Sequence, residues 1–512
     1  MNRPLITIIN RENCQSQHTT LPEVDSSIAT IQLTDNDGKR KSQSTLLIEI
    51  GSQGRLIHDT TGDAYVEIEF NDAKSTIKIR SKEFAEYLGS EFYKLTGKGA
   101  SEKVISDAKN TLEAMAKYDG ECAVCAVRAH KSNNIYIDLG SDNHKVIEIT
   151  PKGRSITNTS SIKFIRKRGM MSLPLPIPNG DVMLLQKHLN IKEDDFALVI
   201  GFLLCALGGL KPYPILIFQG EQGTGKSTNT RVIRELCDPS SVPLRTPPKD
   251  IRDLLVSAGN THLVALDNLS GLKHEISDAL CRLSTGGGID VRALYTDDEQ
   301  HLLDIQKPVM INGIDDIACR PDLTERSLIL NLPIISNTNR KTEKEIWKEF
   351  QHDKQCIFSG LLDGLVSGLK DFDNVHLDEK PRLADAAQWI TACEIALGMK
   401  GGFVKAHKRN QLRAIADGIE ASPVGSAICK LMEDKLRWSG VPTELESKLC
   451  RLTDYSITNS QLWPQSLKGL RNIIKRLTPS LRLMGIIITK KDTHKREYII
   501  ENKTNYPPEA HK

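Results

Sequence analysis

The chain has 512 residues, with 68 Lys and Arg against 65 Asp and Glu, a formal net charge of +3. That length suggests about three domains at roughly 100–200 residues each, and ordinary apolar and charged fractions fit globular protein. A near-neutral balance excludes a polycation, so any nucleic-acid surface must be local.

Met1–Asn10 lacks the basic stretch and long apolar run of a signal peptide. Phe196–Leu210, the longest apolar stretch, is interrupted by glycines and is too short for a comfortable membrane span. Eleven cysteines without regular spacing suit a reducing compartment rather than a disulfide framework. These features point to a cytoplasmic protein with no membrane association. Cys122 and Cys125 form a lone C-x-x-C near His130 and His144. Without a second pair the zinc reading is weak, and Glu121–Val127 reads better as a strand of small residues.

Residues 1–45 are polar and expected to be poorly ordered after a short first strand. Residues 46–165 read as a small α+β domain of unassigned role, a candidate docking site for a replication partner. Leu46–Ile50, Ala64–Phe70, Thr76–Arg80, Ile135–Leu139 and Lys145–Thr150 are its expected strands, and Ser81–Thr96 and Ser101–Tyr118 its helices. No D-x-D-type acidic pair appears in it, so primase chemistry is not assigned. Residues 166–180 carry the proline-rich MMSLPLPIPNG and read as an extended linker.

Residues 181–410 alternate apolar strands with helices, the pattern of a parallel sheet covered by helices. Ile215–Phe218 leads into Gly220-Glu221-Gln222-Gly223-Thr224-Gly225-Lys226-Ser227, followed by Thr228 and a helical pattern. Strand, G-x-x-x-x-G-K-[ST] and helix in this order form a phosphate-binding loop for ATP. The glycines let backbone N–H groups turn toward phosphate oxygens, Lys226 reaches the terminal phosphates and Ser227 ligates Mg²⁺. His262–Leu266 is a second apolar strand. It ends in Asp267, 41 residues after Lys226, where a carboxylate beside the first strand anchors Mg²⁺. The alternative is an ordinary strand-ending Asp. Val309–Ile311 ends at Asn312, a residue type that orients water or senses the terminal phosphate. Asp316–Thr324 reads as a short helix carrying Arg320. Arg326 lies 14 residues after Asn312, immediately before the strand Ser327–Leu332.

This order of motifs, with the stretch Cys281–Ile314 between Asp267 and Asn312, resembles the AAA+ fold and, within it, superfamily-three helicases. It is most similar to the ATPase half of phage- and poxvirus-type primase-helicases of mobile elements, chiefly over about residues 195–335. The resemblance implies an ATP- and Mg²⁺-dependent ATPase, a DNA helicase or translocase in mobile-element replication, working as a homo-oligomeric, hexameric ring. It implies Lys226 and Ser227 as phosphate and metal residues, Asp267 as the Mg²⁺ residue, Asn312 as sensor and Arg326 as arginine finger, with Arg320 the alternative. Two departures stand out. Asn268 occupies the place of a second acidic residue, leaving Asp267 or Glu275 as substitute bases, or slow hydrolysis. The hairpin tip Tyr295–Gln300 is acidic where translocating relatives carry Lys or His, with Arg292 and His301 the nearest cations. The second reading is therefore a nucleotide-switched DNA-binding or loading protein.

Residues 411–512 read as a helix followed by a basic hairpin, resembling a winged helix. Residues 451–500 hold ten Lys and Arg against three acids, +7 net. Lys468, Arg471, Lys475, Arg476, Lys490, Lys491, Lys495 and Arg496 are the candidate DNA-binding residues. A solvated, protein-docking face is the alternative.

Overall fold

The computed structural model describes residues 31–503, apart from 60–61, 71–72, 124, 127, 132, 159–161, 168, 288, 293–299, 304–305, 315–320 and 492–496. Most of the N-terminal segment expected to be poorly ordered, the hairpin tip at Tyr295–Glu299, Arg320, Lys495 and Arg496 therefore lie outside the described residues. The chain forms two compact units: 1–68 with 77–121, and 69–76 with 122–512.

In the first unit, helices Lys82–Thr96 and Glu102–Tyr118 form where expected. Ser81 caps the first by accepting from Phe84 N. Their apolar faces share a core with a hairpin in which Arg55–His58 pairs antiparallel with Ala64–Glu67. Leu46–Ile50 is not the expected strand. It lies in the helix Gln43–Ser52, capped by Ser42 and burying Leu46, Leu47 and Ile50. Four apolar residues in a run of five satisfy either period, and the Ser cap with i, i+4 burial selects the helix.

The expected domain boundary near residue 165 also moves. Strands Asn134–Asp138 and Val146–Thr150 sit in a four-stranded antiparallel sheet of the second unit. Ile135, Ile137, Leu139, Ile147 and Ile149 on those strands join the main hydrophobic core, so the division between units falls at Glu121/Cys122. Residues 166–180 are extended but do not act as a free linker. Ile177 N donates to Ser359 Oγ at 2.8 Å, and Asp181 N to Cys356 O at 3.1 Å. A methyl on Gly180 would lie 1.9 Å from Gly360 N, so a close backbone approach seats this strip on the helix Glu343–Asp371.

The centre of the second unit is a four-stranded parallel sheet. Its order is Val264–Leu269, Val309–Gly313, Ile215–Gln219, Ser327–Asn331. The inner strands are wholly buried, as parallel strands covered on both faces must be. The Asn312 strand thus lies between the Gly220 strand and the Asp267 strand, which are not neighbours as expected. The helix Phe196–Gly208 is 13 residues long and almost entirely buried. Among the described residues no helix is long and apolar enough to cross a membrane.

The expected boundary at 410/411 falls inside one continuous helix, Gly402–Glu420. Asn410 on it bonds both Ile329 N and Ile329 O of the sheet's edge strand. The C-terminal fold starts at the Ser422-capped helix Pro423–Met432. Next come strand Arg437–Gly440, helix Pro442–Arg451, helix Leu467–Leu483 and the hairpin Ile486–Lys491/Glu497–Asn502. The final strand lies between the other two in an antiparallel sheet over a separate apolar core.

Candidate functional site

The strand Ile215–Gln219 ends in a loop whose three glycines hold φ angles of +152° (Gly220), +83° (Gly223) and +80° (Gly225). Side chains with a Cβ resist this region, so the loop's path is written in glycine. Gly225 is the N-cap of the helix Lys226–Cys237 and supplies no side-chain cap, leaving first-turn N–H groups free of a capping side chain. Thr224 Oγ1 closes the loop on Glu221 O at 2.9 Å.

Lys226 is 9% exposed. Its ammonium folds back on the loop, donating to Gly220 O at 2.8 Å and Glu221 O at 2.7 Å. Burial pulls its pKa below the usual lysine value, and the Asp267 charge partly opposes that. Bonds to phosphate are charge-assisted on both sides and roughly twice as strong as neutral ones.

Two predicted residues converge on a third, Asp267. Ser227 Oγ donates to Asp267 Oδ1 at 2.8 Å, and Asn312 Nδ2 donates to the same oxygen at 2.7 Å. Asn312 also contacts Thr230 Oγ1 at 3.1 Å, and its Oδ1 accepts from Asn268 N at 2.9 Å. The intervening position of the Asn312 strand makes this possible, because its end lies between the carboxylate and the loop helix. The Asp267 strand breaks register between Leu266 and Leu269, with Asn268 at φ +58°. A bulge of this kind re-aims a side chain at a strand end. The Asn268 side chain is exposed. Glu275 is exposed too, in the first turn of helix His274–Thr285.

Arg326 is not part of this cluster. It precedes the edge strand, and its carbonyl accepts from Ile215 N at the strands' starting edge. A five-residue strand at about 3.3 Å per residue separates it from the loop by about 15 Å, beyond an arginine's reach. Its guanidinium pairs with Asp322, which Arg382 also bonds at 3.1 Å. This pairing is the alternative open to any arginine at that position.

Two residues at the loop carry no motif. Asn190 Nδ2 donates to Thr224 O at 2.9 Å and Pro333 O at 2.7 Å, while Asn190 and Asn229 exchange two further bonds. One amide thus ties the loop, its helix and the chain leaving the sheet. Arg340 lies over Gly223: a methyl there would be 3.2 Å from Arg340 Nη2. Asn190 precedes the loop by 30 residues and Arg340 follows it by over a hundred, so only the tertiary fold reveals them.

In the C-terminal fold, Lys468, Arg471, Lys475 and Arg476 are exposed on helix Leu467–Leu483, and Lys490 and Lys491 on the following strand. Leu470, Ile474, Leu477 and Leu481 bury its opposite face. The strands Ile289–Arg292 and Gln300–Leu303 pair antiparallel as a hairpin. Among the described residues, no three His, Cys, Asp or Glu side chains gather as a metal site; the Cys125 side chain lies outside that description.

Residues 182–416 match the family of the actinomycete integrative conjugative element replication protein, RepA, and residues 424–510 match the RepA C-terminal domain. No curated protein matches the chain. Among solved structures, an apo form of the NrS-1 C-terminal region is similar at 12% identity, covering 90% of this chain and 98% of that one, with a TM-score of 0.38. Another apo structure, of NrS-1 residues 305–718, is similar at 12% identity over 91% and 100%, with a TM-score of 0.38. Those scores are too low to fix a shared fold. The two family matches follow the order of the RepA parts and together take in more than half of the chain, which belongs to the replication proteins of mobile elements.

Proposed function

We propose that this replication protein is an ATP-hydrolysing AAA+ motor of the superfamily-three helicase type. In this reading it acts as a homo-oligomeric ring on DNA held partly by a C-terminal winged helix. The observation that carries the reading is the convergence of Ser227 and Asn312 on one oxygen of Asp267 beside a glycine loop and Lys226.

The residues fit a Mg²⁺-nucleotide. The loop glycines leave room for a phosphate chain against backbone N–H groups, and a hydroxyl and a carboxylate already 2.8 Å apart form a hard-oxygen pair for Mg²⁺. Ser227 and Asp267 would hold the Mg²⁺, which would supply positive charge against the charge developing on the phosphates. Lys226 leaves its two carbonyls to hold the terminal phosphates. Asn312, 1% exposed and fixed by Asp267, Thr230 and Asn268, orients water. Its amide takes no proton, and neither does that of Asn268, so proton acceptance falls to Asp267 or Glu275. Arg326, facing away from its own loop, serves a neighbouring copy after exchanging Asp322 for phosphate.

The C-terminal helices, three-stranded sheet and hairpin follow the order of a winged helix. The exposed cations of helix Leu467–Leu483 then face DNA phosphates. A second reading, a nucleotide-switched loader that hydrolyses slowly, is favoured by Asn268 standing where a carboxylate base would act. One assay separates them: ATP hydrolysis with and without single-stranded DNA, then displacement on a forked duplex. The motor reading expects DNA-stimulated hydrolysis and displacement. Slow, unstimulated hydrolysis without displacement supports the loader.

A further inference from the structure

We propose that Arg340 is a second phosphate-binding cation of the same subunit, held over the loop by a strap formed by residues 332–342; this rests on the nucleotide reading of the Lys226 site. The strap begins at the sheet, where Leu332 N donates to Gln219 O at 2.8 Å and Pro333 O accepts from Asn190. A methyl on Gly225 would lie 3.5 Å from Ile335 Cδ1, so the strap crosses the loop itself. A short 3₁₀ turn, Asn337–Asn339, brings the chain to Arg340.

The strap's far end is fixed as well. Thr342 and Glu345 form a capping box at the start of the 29-residue helix Glu343–Asp371. Arg231, on the loop's own helix, pairs with Glu343 and stacks over Trp347 with its guanidinium carbon 4.8 Å from the ring centre. The backbone of Arg340 is thereby tied to the loop helix from both sides.

The acids in the first two turns of the following helix are already engaged. Glu343 serves Arg231, Glu345 serves the cap, and Glu349 pairs with Lys341 at 2.6 Å. Among the described residues no carboxylate pairs with Arg340, an exposed guanidinium whose Nη2 rests beside Gly223. An arginine presents five donors in a planar fork suited to phosphate oxygens. The anion it meets across Gly223 is the phosphate chain of a nucleoside triphosphate, gripped between Arg340 on one side and Lys226 on the other. Arg340 acts on its own subunit's nucleotide, unlike Arg326.

The test uses the full chain and a fluorescent ATP analogue, titrated by anisotropy with Mg²⁺ present. Arg340→Ala should weaken binding at least tenfold and flatten its dependence on salt, while melting without nucleotide stays unchanged. Arg340→Lys should restore part of the affinity, since a point charge also attracts phosphate. If Arg340→Ala binds the analogue as wild type does while Lys226→Ala does not, the inference is wrong and the nucleotide site stands. If the wild type binds no nucleotide, the site reading fails and takes this inference with it.

Discussion

The two edges of the parallel sheet carry charge in opposite ways. At the edge where the strands end, Lys226, Asp267 and Asn312 are buried or half-buried and bond to one another or to the loop. At the edge where they begin, Arg326 is tied to Asp322, whose other partner, Arg382, is itself half exposed and also paired with Glu325. The first set forms a closed polar network, which in a low-dielectric site is rigid and costly to break. The second is an ion pair whose carboxylate is half exposed and shared between two arginines, so water reaches it as it does not reach the first set. On the proposed reading, the closed edge carries the chemistry and the other edge carries an exchangeable, intersubunit arginine.

The largest expected effect breaks the second half of that contrast. Arg326→Ala should lower ATP turnover by about 10³–10⁵-fold, the range for arginine fingers, while nucleotide binding stays near wild type. Mixing it with Lys226→Ala should restore activity, because an intact loop can then face an intact finger. If Arg326→Ala turns over ATP normally, its only role is the pair with Asp322.

Next in size is the C-terminal helix, whose cations are more exposed than Arg326 and number several along it. Lys475→Glu with Arg476→Glu should weaken DNA binding across all sequences and reduce its salt dependence by about one unit of log–log slope per lost phosphate contact. Binding that is insensitive to salt would mark a protein-docking face instead.

The smallest effect concerns stability around the buried face of helix Gly402–Glu420. Burial pushes His407 down to about 4. Its unfolded value is about 6.5, so between those pH values the unfolded chain binds more protons and stability falls as pH drops. Melting temperature should decline from pH 6.5 toward 4 in the wild type, and less steeply in His407→Gln. An identical slope in both proteins would place the acid sensitivity elsewhere.

What the sequence revealed follows the same division. Gly220–Ser227, Asp267 and Asn312 were legible because each sits at the end of a short apolar strand, where local pattern and chemistry coincide. Their convergence on one carboxylate oxygen was not, since it depends on a strand order in which the Asn312 strand intervenes. Asn190 and Arg340 reach the loop only through the tertiary fold and follow no spacing rule. Leu46–Ile50 is ambiguous in sequence because a run of five with four apolar residues fits two periods. The boundary at 410 was misplaced because one amphipathic helix serves the sheet with Asn410 and the C-terminal core with Ile419.

The central claim is that the Lys226–Asp267–Asn312 edge hydrolyses ATP. The most direct measurement is phosphate release from MgATP by the purified 512-residue chain and by Lys226→Ala, prepared identically and matched for folding by melting curve. Steady turnover is expected in the wild type and a loss to background in the variant, because the developing phosphoryl charge loses its fixed cation. Equal turnover in the two proteins, or none in the wild type with or without DNA, would contradict it.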